Sequence, residues 1–329
     1  MTAGRPGSPG PTDPSTQDRT SMTNQTTAPP SPPTPLRPGL WGVLATPFLG
    51  AGCAVDTGSL RREVALYTEL GATGLVVLGV FGEGAALSTA EQGLTVRTVA
   101  AEAGDVPLVV GLSARSTAPA LDQAATACRA AGPHLASLMV QANSAVPEVL
   151  AAHLTAIHEA TGAGIVLQDY PVASGVNISA DRILAVVGQC PFITAVKSEA
   201  PPTAMAVARL TRGTEVPVFG GLGGVGLLDE LAAGAAGAMT GFSHPEGLLA
   251  ALEAFAEGGF AQARTAFAHW LPLANFEAQP GVGLALRKEV LRRRGILTDA
   301  RVRPPAPPLP PELAELIDAQ LDAVRTEVA

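Results

Sequence analysis

Phe192–Glu199, with the sequence FITAVKSE, is an apolar and β-branched segment that carries a lysine near its end. Pro191 precedes the segment and Pro201 follows it, and this pattern is typical of a short buried strand in a parallel sheet. An amine at the end of such a strand is poorly solvated, which favours its neutral, nucleophilic form. Lys197 is therefore a candidate Schiff-base nucleophile, and the alternative is a structural ion pair with Glu199.

The chain contains one other lysine, Lys288, in the basic run Arg287–Arg294. We expect this run to form the solvated face of a helix, because charged side chains normally remain in water. Lys197 differs from Lys288 because it lies at the end of an apolar segment.

Short apolar runs alternate with helical patterns from residue 39 onward, and eight such strand–helix units predict a (β/α)₈ TIM barrel. A doubly wound open sheet is the alternative, but no dinucleotide-binding fingerprint follows the first strand. Helix starts are predicted at Ser59, at the capping box Ser88–Glu91 and at Ser179. The predicted organisation is a disordered tail over residues 1–38, a barrel over 39–245 and a C-terminal helical appendix over 246–329. The predicted strands are Trp41–Phe48, Thr73–Gly79, Val106–Gly111, Leu135–Gln141, Gly164–Tyr170, Phe192–Glu199, Val216–Phe219 and Ala235–Thr240.

Composition excludes several classes of partner. A net charge of −8 with few basic residues argues against nucleic acid. Every apolar run is shorter than the roughly 18 residues of a membrane helix. Three cysteines without metal-ligand spacing predict neither a disulfide framework nor a metal site, and they favour the cytoplasm.

Four motifs occur at the predicted strand ends: TPF at Thr46–Phe48, GVFGE at Gly79–Glu83, YPVASG at Tyr170–Gly175, and Val196-Lys197. Together they resemble the dihydrodipicolinate synthase and N-acetylneuraminate lyase family. The resemblance implies a (β/α)₈ barrel that forms a homo-oligomer, dimer or tetramer. It also implies that Lys197 forms an imine with a 2-oxo acid such as pyruvate, without a cofactor.

The chain departs from this family in the turn after the second strand, where the family typically has two hydroxyl residues. Val80 and Phe81 stand there, so the hydroxyl relay of protons is missing. The backbone amides of this turn still predict a carboxylate site, because a tight turn entering a helix aims several donors at one point. Gly79 and Thr46 are the other candidate substrate-binding residues at this end.

The fifth strand differs as well, since Gln168 occupies the position of the family's tyrosine. Side chains alternate across a strand, so Tyr170 shares the face of Gln168, one step nearer the strand end. We predict that Gln168 binds substrate and that Tyr170 either donates protons or lines the pocket. By the same alternation Glu199 shares the face of Lys197, as a general base or as its ion-pair partner.

Two features bear on the substrate. Ala173 replaces the arginine with which the synthase branch grips a second carboxylate, so dihydrodipicolinate synthesis itself is not expected. The glycine-rich loop 220–226, which includes Gly221, is interpreted either as a substrate or phosphate site or as a close backbone approach. The sequence therefore predicts a Schiff-base lyase, of aldolase or dehydratase type, acting on a 2-oxo acid. A catalytically silent binding barrel and a barrel for a phosphorylated substrate are the alternatives.

Overall fold

The computed structural model describes residues 1–8, 10 and 33–328. Two compact units divide the chain, Met1–Ser31 and Pro32–Ala329. In the first unit, residues 1–8 and 10 form neither helix nor strand, and most of the tail predicted as disordered lies outside the described residues.

Eight parallel strands of the second unit close into a barrel in the order β1-β10-β9-β8-β7-β6-β5-β4. The predicted fold is thus confirmed. A short antiparallel hairpin, β2–β3, follows the first barrel strand, so the predicted strand 41–48 is in fact two elements. The strands are β1 Gly39–Val43, β2 Phe48–Leu49, β3 Ala54–Val55, β4 Gly74–Val77, β5 Leu108–Leu112, β6 Leu135–Gln141, β7 Gly164–Asp169, β8 Ile193–Ser198, β9 Val218–Gly220 and β10 Gly237–Thr240.

Helices cover the outside of the barrel, and their starts follow from local hydrogen bonds. Ser88 and Glu91 form the predicted capping box, and the Ser179 side chain accepts from the N–H of Arg182. The first helix corrects the prediction, because its cap is Asp56, three residues before Ser59. The helices are α1 Thr57–Glu69, α2 Thr89–Glu102, α3 Thr117–Ala131, α4 Pro147–Thr161, α5 Pro171–Ser174, α6 Ala180–Gln189, α7 Thr203–Thr211, α8 Leu227–Ala232, α9 Pro245–Phe267, α10 Leu271–Glu277, α11 Gly283–Arg293 and α12 Pro311–Val328.

The barrel interior is filled by large apolar side chains that alternate along the strands with outward-facing ones. Leu36 joins this interior cluster, and its N–H donates to the carbonyl of Thr194 at 3.0 Å. Residues 33–38 therefore belong to the folded unit, which corrects the end predicted for the tail. The interior cluster consists of Leu36, Trp41, Val43, Val76, Val109, Met139, Val166, Ala195, Phe219 and Met239.

The helix α9 follows β10 and contacts both α8 and β1. It therefore takes the position of the eighth barrel helix, and the predicted boundary at residue 245 falls at its start rather than its end. The remaining helices, α10 to α12, pack on one another, and α10 also contacts the loop after β9. The described residues contain no helix long and apolar enough to cross a membrane and no cluster of metal-ligating side chains.

Candidate active site

Lys197 lies inside the barrel, close to the carboxyl end of β8. Ala195, two residues earlier, belongs to the interior cluster, so the period of two in a strand directs Lys197 inward as well. Its neighbours in register are Gln168 on β7 and Phe219 on β9. The residue is 5% exposed. The amine is thus enclosed at the end of the barrel where the reacting groups of this fold lie.

Glu199 holds its carboxylate beside this amine. The Lys197 Nζ and Glu199 Oε2 atoms are 3.3 Å apart. The Gln168 side-chain amide donates to the same oxygen at 2.7 Å, and the N–H of Leu222 donates to Oε1 at 3.2 Å. A Cβ on Gly221 would overlap the carboxylate, so this position requires glycine. The carboxylate is therefore fixed by donors from three segments of the chain.

This arrangement decides between the two interpretations of the glycine-rich loop. Its glycine at 221 permits close approach to Glu199, and the N–H of Leu222 is already bound to the protein's own carboxylate. A phosphate on the same amide would meet that negative charge. The geometry thus favours close backbone approach over a phosphate site.

The turn after β4 presents free backbone donors at the mouth of the barrel. The Thr46 hydroxyl donates to the carbonyl of Gly82 at 2.6 Å and so ties the end of β1 to this turn. Among the backbone hydrogen bonds of the described residues, none uses the N–H of Val80 or of Phe81. These two donors are available to a carboxylate.

A buried ion pair supports the same turn. Glu83 pairs with Lys288 from α11, and its other oxygen accepts the N–H of Arg303 at 2.8 Å. The Lys288 amine also donates to the carbonyl of Thr46 at 2.7 Å and lies over the ring of Phe48. Lys288 is 0% exposed. The prediction that the basic run is a solvated face is therefore wrong for Lys288, whereas the Arg292 side chain of the same run is 44% exposed.

Arg287, the neighbour of Lys288, is a residue that the sequence analysis missed. Its guanidinium lies over the ring of Phe81, with Cζ 5.0 Å from the ring centroid, and its side chain is 11% exposed. A signal was present in the spacing, because Leu284, Arg287 and Lys288 are three and four residues apart and so share one helix face. An apolar residue on the same face as the two cations indicates that this face packs against the barrel rather than facing water.

Tyr170 stands just past the end of β7 and precedes the short helix α5. Burial and the negative charge of Glu199 raise the pKa of its phenol, whereas the charge of Arg287 lowers it. No hydrogen bond joins its hydroxyl to Lys197 or Glu199 within the described part of the chain. Asp169 occupies the outer face of β7, where burial and Glu199 raise its pKa to about 6.

A cavity of about 400 Å³ opens at this end of the barrel. Its lining includes Gly79, Val80, Gln168 and Ala173. Because Gln168 is also the register neighbour of Lys197, the cavity reaches the strand beside the amine. Its volume lies in the range of small-molecule binding sites.

Comparisons with known proteins agree with this architecture. The family model of the dihydrodipicolinate synthetase family matches residues 37–324. The crystal structure of dihydrodipicolinate synthase from Rhodopseudomonas palustris superposes with a TM-score of 0.81 and 28% identity, covering 89% of this chain and all of that one.

Two curated relatives differ in the reaction they are named for. An L-2-keto-3-deoxyarabonate dehydratase from Azospirillum brasilense is 33% identical over 293 residues, which is 85% of this chain and 92% of the relative. A 4-hydroxy-tetrahydrodipicolinate synthase from Kineococcus radiotolerans is 31% identical over 296 residues, 85% of this chain and 94% of the relative. The chain therefore belongs to the dihydrodipicolinate synthetase family and is a lyase built on a (β/α)₈ barrel.

Proposed function

We propose that the protein is a Schiff-base lyase of the dehydratase type, acting on a 2-oxo acid that carries a hydroxyl group on C4. The observation that carries this proposal is the pair formed by Lys197 and Glu199, whose Nζ and Oε2 atoms are 3.3 Å apart inside the barrel. A nucleophilic amine with a carboxylate at this distance supplies both groups that imine chemistry needs.

The reaction follows from these two groups. The Lys197 ammonium passes a proton to Glu199 and the free amine attacks the C2 ketone; Glu199 returns that proton to the carbinolamine hydroxyl, which leaves as water and gives a protonated imine. Glu199 removes a proton from C3, and the electron pair enters the imine to form an enamine. The enamine expels the C4 hydroxyl, which leaves as water with the proton that Glu199 carries. Hydrolysis of the imine then consumes one water and releases the product and the free amine.

Two observations favour dehydration over aldol cleavage. Cleavage requires a base for the C4 hydroxyl proton, and the positions where the family has its hydroxyl relay hold Val80, Phe81 and Gln168. An amide does not exchange protons as an acid or base near neutral pH, so Gln168 is a positioning residue for Glu199. The Azospirillum relative is itself named as a dehydratase of a 3-deoxy-2-oxo sugar acid. We accordingly infer a substrate of that class.

The remaining candidate residues receive supporting roles. The free amides of Val80 and Phe81 bind the substrate carboxylate opposite Lys197, in a turn that Thr46 and Gly79 hold in place. Tyr170 lines the mouth of the pocket next to the far part of the substrate. Glycine at 221 leaves room for the Glu199 carboxylate.

The cellular and assembly context belongs to the same proposal. We infer a cytoplasmic enzyme, since all three cysteines are free in the structure. We also infer a homo-oligomer, dimer or tetramer, as the family resemblance implies. Light scattering on the purified protein measures the mass of the assembly, and the mass of a monomer would contradict the inferred homo-oligomer.

Borohydride trapping tests the central step. The protein is incubated with pyruvate, reduced and digested, and the peptide containing Lys197 is expected to gain the mass of the reduced adduct. The chain offers its own control, because the only other lysine, Lys288, is buried in an ion pair and should remain unmodified. A Lys197→Met variant should give no adduct. An unmodified Lys197 with pyruvate and with a panel of longer 2-oxo acids would favour the catalytically silent barrel.

A further inference from the structure

Arg287 is buried without the hydrogen bonds that a buried guanidinium normally makes. Its side chain is 11% exposed, and its one ion pair joins Nε to Glu277 Oε2 at 3.4 Å. Neither Nε nor the terminal nitrogens have a hydrogen-bond partner in the described part of the chain. Guanidinium offers five donors, and buried donors are usually satisfied. The terminal nitrogens of Arg287 are therefore free of hydrogen bonds to the described residues and available to a ligand.

This guanidinium packs against two segments of the proposed active site. It stacks on Phe81, whose backbone amide is one of the two free donors of the turn after β4. On its other side it touches the loop after β9, where a Cβ on Gly223 would collide with Nη2. The same loop donates the Leu222 N–H to Glu199. Arg287 thus lies between the turn that offers amides and the loop that holds the general base.

We infer that Arg287 binds the carboxylate of the 2-oxo acid, in place of the hydroxyl pair that Val80 and Phe81 have replaced. This inference rests on the proposed function. A guanidinium remains charged at any physiological pH and presents paired donors that match the two oxygens of a carboxylate. Its charge is available to a ligand, because Glu277 neutralises it only in part: burial raises the pKa of that carboxyl to about 7.

A purely structural role makes a different prediction. If Arg287 served only to pair with Glu277, removing either partner would have the same effect on ligand binding. Glu277 also accepts hydrogen bonds from the N–H and the hydroxyl of Ser243, one on each oxygen; a glutamine keeps an oxygen for the N–H, and its amide can donate to the hydroxyl oxygen. Glu277→Gln therefore removes the ion pair and leaves the guanidinium in place.

The experiment measures borohydride trapping on Lys197 as a function of pyruvate concentration in three variants. Arg287→Met should raise the half-saturating pyruvate concentration about tenfold or more, the loss expected for a charge-assisted hydrogen bond. Glu277→Gln and the matched control Arg292→Met, on the exposed side of the same helix, should change it by less than about threefold. Trapping of hydroxyacetone, a ketone without a carboxylate, should be the same in Arg287→Met and in the wild type.

Three results would overturn the inference. They are an unchanged half-saturation for pyruvate in Arg287→Met, an equal loss in Glu277→Gln, and an equal loss for hydroxyacetone. If the wild type forms no adduct, the proposed function fails and Arg287 is tested separately by thermal unfolding with pyruvate. Stabilisation of the wild type that disappears in Arg287→Met would then support the anion site, and no difference between the two proteins would refute it.

Discussion

Replacing Glu199 by glutamine tests the acid–base half of the mechanism while leaving its shape intact. Glutamine has nearly the same volume; its oxygen can accept the Leu222 N–H, and its NH₂ can donate to the Gln168 side-chain oxygen once that amide rotates by 180°. What it lacks is the ability to accept a proton. The variant therefore separates imine formation, which depends on Lys197, from proton removal at C3.

The magnitude follows from the geometry of the pair. A positioned general base contributes about 100- to 10,000-fold to a proton transfer, so abstraction at C3 should slow by that factor. Imine formation should persist, because removing the carboxylate 3.3 Å from Nζ takes away an interaction that favours the charged amine. One substitution is thus expected to slow proton removal at C3 while imine formation persists.

Pyruvate allows both steps to be followed without knowledge of the natural substrate. Exchange of its methyl protons with deuterium, observed by NMR in D₂O, reports abstraction at C3, and borohydride trapping reports the imine. Glu230→Gln is the matched control, since Glu230 is buried on α8 behind Gly220, outside the barrel interior. If Glu199→Gln exchanged the methyl protons within about threefold of the wild type, Glu199 would not be the base.

Three further substitutions probe the supporting structure. Lys288→Met leaves the charge of Glu83 buried without its ion-pair partner, so the free energy of unfolding, measured in urea, should fall by about 3–5 kcal/mol. A loss below about 1 kcal/mol would show that this ion pair does not stabilise the fold. Burial raises the pKa of Glu63 from 4.5 to about 8, so its stabilising contribution, complete below pH 4.5, is lost as the pH rises through 8. Wild-type stability should therefore decline more steeply from pH 5 to pH 9 than that of Glu63→Gln, and parallel curves would refute this assignment. Gly221→Ala should displace the Glu199 carboxylate, so deuterium exchange of the pyruvate methyl protons should slow about 100-fold while borohydride trapping on Lys197 persists. Unchanged exchange would show that the close approach of residue 221 to Glu199 is not critical.

The features that could be predicted from the sequence depend on local periodicity. A run such as Leu135–Gln141 forms a strand with the predicted bounds because its apolar residues are continuous. The period of two in a strand also placed Lys197, Glu199 and Gln168 on common faces, and the close contact of their side chains follows from it.

The features that were missed depend on partners far away in the sequence. Lys288 pairs with Glu83, 205 residues earlier, and nothing near either residue specifies the other. The basic composition of α11 predicted an exposed face, whereas tertiary packing turns Lys288 into the barrel mouth. The start of α1 shows the same limit at short range: Asp56 and Ser59 are both good caps, and only the path of the backbone selects Asp56.

The site residues come from different elements of the fold, and this suggests that one part of the barrel determines the reaction and another determines which substrate binds. Lys197, Glu199 and Gln168 come from two adjacent strands, β8 and β7, or from directly beyond them, so the rigid sheet fixes the distance between the amine and the carboxylate. Arg287 comes instead from α11, and Leu284 of that helix and Pro305 of the following segment line the cavity. Substitutions in α11 and after it should therefore change which 2-oxo acid binds, as a shift in KM. Substitutions beside β7 and β8 should change whether the bound acid reacts, as a shift in kcat.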